Sequence, residues 1–166
     1  MRHNLSGIVR KGIGLSLVGA ALAVVPSTAT VAAPNDPSVV QQMRNEAQGK
    51  VTVRTLPATG SVGFVRATGD LYPSEATGKT RDGAADKARG YLDKYARAFG
   101  ASAAQLDQTA VTKSPAGYTV DFGQTYRGVP VFGAKLRAHV DNQGDLTSIS
   151  GFVAPKISVD VTPAVD

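Results

Sequence analysis

Apolar residues in this chain switch period, and the switch dictates the fold class. Between Thr80 and Gly100, residues Ala84, Ala88, Tyr91, Leu92, Tyr95 and Phe99 recur at helical spacing and line one face at 3.6 residues per turn. Asp82 is placed to cap the start of this helix and Asp86 stands in its first turn. Lys94 and Arg97 face the negative pole, and Gly100 supplies a left-handed stop. Gly83 and Gly90 weaken it by about 1 kcal/mol each against alanine, so it needs a sheet to lie on. Beyond Gln108 the period becomes two. Tyr118, Val120 and Phe122 alternate with Thr119 and Asp121, and Phe132, Ala134, Leu136, Ala138 and Val140 alternate with Lys135, Arg137 and His139. Gln108–Lys113 and Leu146–Val153 read as strands on either side, with turns at Ser114–Gly117, Tyr126–Gly128 and Asp141–Gly144. Alternation in successive strands joined by short turns predicts an antiparallel meander with one wet face. The fold expected is α+β: a meander packed on one long helix.

Ahead of the helix, Val51–Arg54 and Val62–Arg66 are short β-branched runs bounded by Pro57, Gly60 and Gly69. Ala-Thr-Gly recurs at positions 58, 67 and 76. The residues between do not repeat, so the triplets read as turn punctuation rather than a solenoid.

The first residues have a different character. Met1–Lys11 is short and basic, Gly12–Val25 is an uncharged and mainly apolar run, and Pro26 leads into small residues ending at Ala32 and Ala33. This is the three-part pattern of a secretory signal peptide. As a helix the run would reach only ~21 Å, short of the ~30 Å hydrocarbon core. Residues 1–33 are therefore expected to be a signal peptide cleaved after Ala32 or Ala33, with Ala29 as the alternative. Residues 34–49 read as a flexible arm with at most one helical turn over Ser38–Gln48. Residues 50–155 read as the folded domain and 156–166 as a linker. The mature protein is expected to be secreted and extracellular, meeting a membrane only transiently during export.

Little in the composition offers chemistry. The 166 residues hold no Cys, which excludes disulfides, thiolate metal sites and a cysteine nucleophile. The net charge is +5, but Arg2, Arg10 and Lys11 lie in the leader. The remainder carries fifteen basic against thirteen acidic side chains, too even for a nucleic-acid footprint. His139 is the one histidine outside the leader, and on a strand face with Lys135 and Arg137 it reads as a solvated residue. Neither H-E-x-x-H, G-x-S-x-G, a P-loop nor G-x-G-x-x-G occurs. Asp141, Gln143 and Asp145 suggest calcium, but Gly144 stands at the fourth position of the loop rather than the sixth and Phe152 replaces the twelfth-position glutamate, so a hairpin turn explains them better. Asp82 and Asp86 are explained by the helix start. No catalytic, cofactor-binding or metal-binding residue is assigned.

The segment Gln124-Thr125-Tyr126-Arg127-Gly128-Val129-Pro130-Val131-Phe132-Gly133-Ala134 is similar to the signature of the fungalysin/thermolysin propeptide domain, Q-x-Y-x-G-V-P-V-F-G. Tyr95–Gly100 and Gly144–Gly151 resemble their counterparts in that family. In physical terms Gly128 serves a tight turn, and Pro130 suits an edge or irregular position. Val129 and Val131 flank that proline. Gly133 leaves room for close backbone approach, and Tyr126 and Phe132 are placed to fill the helix–sheet interface. The resemblance implies the propeptide region of a secreted zinc metalloendopeptidase, acting as intramolecular chaperone and latency segment without catalysis of its own. Its partner would be the cognate zinc metallopeptidase domain, and the zinc would belong to that enzyme. The alternative is a stand-alone secreted binding module that inhibits a separate protease.

Overall fold

The computed structural model describes residues 36–74 and 77–162. The signal-peptide expectation, with Ala32 and Ala33, and the third Ala-Thr-Gly triplet at its first residue lie outside them. No helix among the described residues is long and apolar enough to cross a membrane.

Helix α2, Arg81–Phe99, organises the fold. All six residues of the predicted stripe are buried. Its cap is not Asp82. Thr80 holds the extended conformation that a cap requires, and its hydroxyl accepts from the Gly83 N–H at 3.1 Å. Asp82 lies one residue inside the helix and is left to the macrodipole. At the other end Gly100 adopts φ 106° and donates to the Ala96 and Arg97 carbonyls. Gly90 has a packing reason: a Cβ there would stand 2.9 Å from the Tyr72 ring.

Six strands follow the predicted pattern: β1 Val51–Thr55, β2 Val62–Ala67, β3 Leu106–Ser114, β4 Gly117–Tyr126, β5 Val129–Asp141 and β6 Leu146–Phe152. The sheet order is β1-β2-β6-β5-β4-β3, every neighbouring pair antiparallel. The α+β architecture is thus a meander, β3 to β6, extended by the β1–β2 hairpin, with α2 across one face. One cross-strand row runs through all six strands on that face: Val53, Val65, Ile149, Ala138, Val120 and Val111. Five of the six are buried. The opposite face carries the rows Thr52, Arg66, Ser148, His139, Thr119, Thr112 and Arg54, Phe64, Ser150, Arg137, Asp121, Ala110. The inward–outward division follows from the two-residue period of a strand.

Two features depart from the sequence reading. The segment expected as an arm is a ten-residue helix, α1, Pro37–Glu46. Asp36 caps it by accepting from the Ser38 N–H at 2.8 Å, and proline occupies the first turn. Val39, Val40 and Ala47 pack against the core, and Met43 is fully buried in it. The last turn is tied to α2 through Glu46, which accepts from Lys94 Nζ at 2.6 Å and from the Tyr95 hydroxyl at 2.6 Å. The second is a buried ion pair. Lys87, on the apolar side of α2, pairs with the Asp70 carboxylate and donates to the Gly144 carbonyl at 2.9 Å. Asp70 Oδ1 also accepts from the Tyr72 and Leu146 N–H groups. These contacts join α2, the segment after β2 and the β5–β6 turn.

Candidate functional site

The end of the β4–β5 hairpin is built by a short turn and a long bulge. Tyr126 pairs with Val129, so Arg127 and Gly128 form a two-residue loop. Both have positive φ, 51° and 80°, the combination that matches the twist of a hairpin. The Arg127 guanidinium lies 5.3 Å from the centre of the Tyr126 ring. Thr125 then pairs with Pro130, but the next pair is Gly123 with Lys135. Between them β4 contributes one residue, Gln124, and β5 contributes four, Val131 to Ala134. Gly133, at φ 76°, lets the backbone make this excursion.

The hairpin end overturns three expectations. Phe132 shares the parity of the buried residues Leu136, Ala138 and Val140, and an unbroken strand would turn it inward. The inserted residues carry it out of the ladder instead, and its side chain is 103% exposed. Tyr126 is only half-buried and belongs to the hairpin end rather than to the helix–sheet interface. Nothing lies within 4 Å of a Cβ built on Gly133, so this glycine is required for its backbone angle and not for close approach. Pro130 sits beside the irregular stretch, where its missing N–H costs no ladder bond.

Gln124, opposite the bulge, is 2% exposed. Its Nε2 donates to the Ala154 carbonyl at 2.9 Å, and its Oε1 accepts from the Ala154 N–H at 2.8 Å. The side chain thus acts as a strand's backbone would and holds the chain after β6 against the hairpin. That chain contributes Ala154, Ile157, Val159 and Val161 to an apolar cavity of about 340 Å³, whose other wall is Tyr126, Val129, Pro130 and Val131. Sequence reasoning missed this contribution, although Ile157, Val159 and Val161 alternate as a strand-like segment would.

The large apolar side chains exposed among the described residues gather here. Val129 is 47% exposed, Phe132 103%, Phe152 45% and Val159 56%. A concentration of this kind marks a contact surface for another macromolecule.

Among the described residues the charged side chains near the sheet pair with one another or shape turns. Asp121 accepts from Arg137 Nε at 2.8 Å, and that hydrogen bond holds its carboxyl below the usual range. Lys135 lies 3.5 Å from the same carboxylate. His139 is half-buried on the open face. Asp141 Oδ1 accepts from the Gln143 and Asp145 N–H groups and shapes a hairpin turn. Burial, and then the nearby Asp70 and Asp141, push the Asp145 carboxyl up. Among the described residues no three His, Asp or Glu side chains converge as a metal site would require.

Residues 104–152 match the family model described as the Fungalysin/Thermolysin Propeptide Motif, a span from the turn before β3 to the end of β6. Proteins named thermolysin from Alicyclobacillus acidocaldarius subsp. acidocaldarius, Bacillus caldolyticus and Bacillus sp. (strain EA1) are each 41% identical to the chain over 71 residues. That stretch is 40% of this chain and 13% of each relative. The alignment thus spans only a small part of the length of these curated relatives. No solved structure matches the chain.

Proposed function

We propose that this chain, whose residues 104–152 carry the fungalysin/thermolysin propeptide motif, is the propeptide region of a thermolysin-type zinc metalloendopeptidase precursor. In this reading it assists the folding of the peptidase domain and restrains it until export, and the leader directs both out of the cell. The work is binding, not bond cleavage. In this reading the zinc belongs to the peptidase domain.

One observation carries the reading: the matched motif contains the bulge, and the bulge holds Phe132 fully in solvent. A buried aromatic would add to the stability of this domain, whereas an exposed one contributes almost nothing to it. Its natural use is an apolar anchor for a partner. A stand-alone inhibitor is not favoured, since the relatives that match are themselves named thermolysin.

The test is refolding in trans. A denatured thermolysin-type peptidase domain is diluted into native buffer with the chain, with its Phe132→Asp variant, or alone, and proteolytic activity is followed. The chain is expected to raise the recovered activity and to inhibit until it is digested, with the variant weaker in both. Equal recovery with and without the chain would sink the proposal.

A further inference from the structure

We infer that the open face of the sheet is a second docking surface, which takes an extended acidic segment of the peptidase domain. The inference rests on the propeptide reading for the identity of the partner. Its own basis is the charge laid out by the strand register.

Arg54 on β1, Arg66 on β2, and Lys135 and Arg137 on β5 share the face that α2 leaves uncovered. All four are exposed. The rows of that face also hold three carboxylates: Asp121, which Arg137 and Lys135 share, Asp107, which accepts from the Thr125 hydroxyl, and Asp141, which shapes the β5–β6 turn. Arg54 and Arg66 enter no ion pair among the described residues. They flank a depression of about 520 Å³ whose other walls are Thr52 and Phe64.

The spacing selects the ligand. Arg54 stands directly across from Phe64, two residues before Arg66, so the two arginines are diagonal neighbours about 7–8 Å apart at the backbone. Side chains on one face of an extended chain repeat every ~6.7 Å. Carboxylates at alternate positions of such a chain therefore meet both guanidinium groups in turn. Ser148 and Ser150 lie between these arginines and Arg137, and their short side chains leave the path open. Phe64 is half-buried on the floor between the two arginines. The observations thus favour a polypeptide over nucleic acid or lipid.

The experiment compares the full chain with its R54E/R66E and R54Q/R66Q variants. Both positions are exposed, and circular dichroism confirms that each variant keeps its fold. Binding to a thermolysin-type peptidase domain, to a fluorescein-labelled deca-glutamate peptide and to phosphatidylserine vesicles is measured at low and high salt. The charge reversal is expected to weaken binding to the peptidase domain about tenfold or more at low salt and less at high salt, with the glutamine pair intermediate. Equal binding by all three proteins would overturn the inference and leave the propeptide reading standing. Charge-dependent binding of the glutamate peptide, with no binding of the peptidase domain, would support the acid-recognising face and sink the propeptide reading. Vesicle binding tighter than peptide binding, lost on charge reversal, would overturn the inference in favour of a lipid surface.

Discussion

Lys87 and Asp70 form a nearly fully buried ion pair that ties the middle of α2 to the chain between β2 and α2. The pair is completed by the Gly144 carbonyl on the lysine and by the Tyr72 and Leu146 N–H groups on the aspartate. Removing one partner strands the other charge in a site largely closed to water. Lys87→Met is therefore expected to cost about 3–5 kcal/mol, read as a fall in the urea midpoint at neutral pH. The double variant D70N/K87M is expected to lose less than the two single losses combined, because it leaves no charge unpaired. Additive losses would show that the two residues stabilise the fold independently.

Legibility in the sequence followed the length over which a pattern could repeat. The stripe from Ala84 to Phe99 and the alternation from Tyr118 to Val153 each sample several periods, and burial follows the first throughout and the second outside the bulge. Helix α1 escaped because its apolar residues form one narrow stripe in a run of glutamine, asparagine and glutamate. What fixes it is tertiary: Met43 in the core and Glu46 on α2. Phe132 escaped for the opposite reason. Its parity is that of a core residue, and only the register shows that it lies within inserted residues. Lys87 was readable in part, since it lies three residues after Ala84 and four before Tyr91 on the buried stripe, but its partner stands 17 positions away in an irregular segment.

The Glu46 contact predicts a pH dependence. Its carboxyl is held down to about 2, first by the hydrogen bond from Lys94 and then by that from the Tyr95 hydroxyl. A carboxyl lowered on folding stabilises the native state above its unfolded value. The contribution is lost as pH falls through the interval from about 4.5 to about 2. Glu46→Gln is expected to flatten the stability–pH curve in that interval and to leave its shape near neutrality unchanged. Urea midpoints collected from pH 2 to 7 check this, and parallel curves for the two proteins would contradict it.

The bulge makes a conformational prediction at Gly133. A Cβ there meets no neighbour within 4 Å, so the cost of alanine comes from φ 76° alone. Gly133→Ala is expected to destabilise by about 1–2 kcal/mol, and Gly133→Asn by less, because asparagine tolerates the left-handed region. Thermal melts of the two variants test the ordering. Equal losses would mean that space, not backbone angle, demands the glycine.

Gln124 has the sharpest consequence for the hairpin end. Its amide satisfies both backbone groups of Ala154, so a residue of similar size without hydrogen-bonding atoms strips a donor and an acceptor of their partners together. Gln124→Leu is expected to cost about 1–3 kcal/mol, the penalty for leaving such groups unsatisfied. Gln124→Glu keeps the acceptor for the Ala154 N–H but loses the donor to its carbonyl. Amide hydrogen exchange separates the two variants. The leucine should speed exchange at Ala154 and release the segment carrying Ile157 and Val159 from the hairpin, while the glutamate should leave Ala154 protected. If the segment stays in place in the leucine variant, the apolar cavity rather than the glutamine holds it there. Phe132 would then be presented by a surface that tolerates the loss of its one polar clamp.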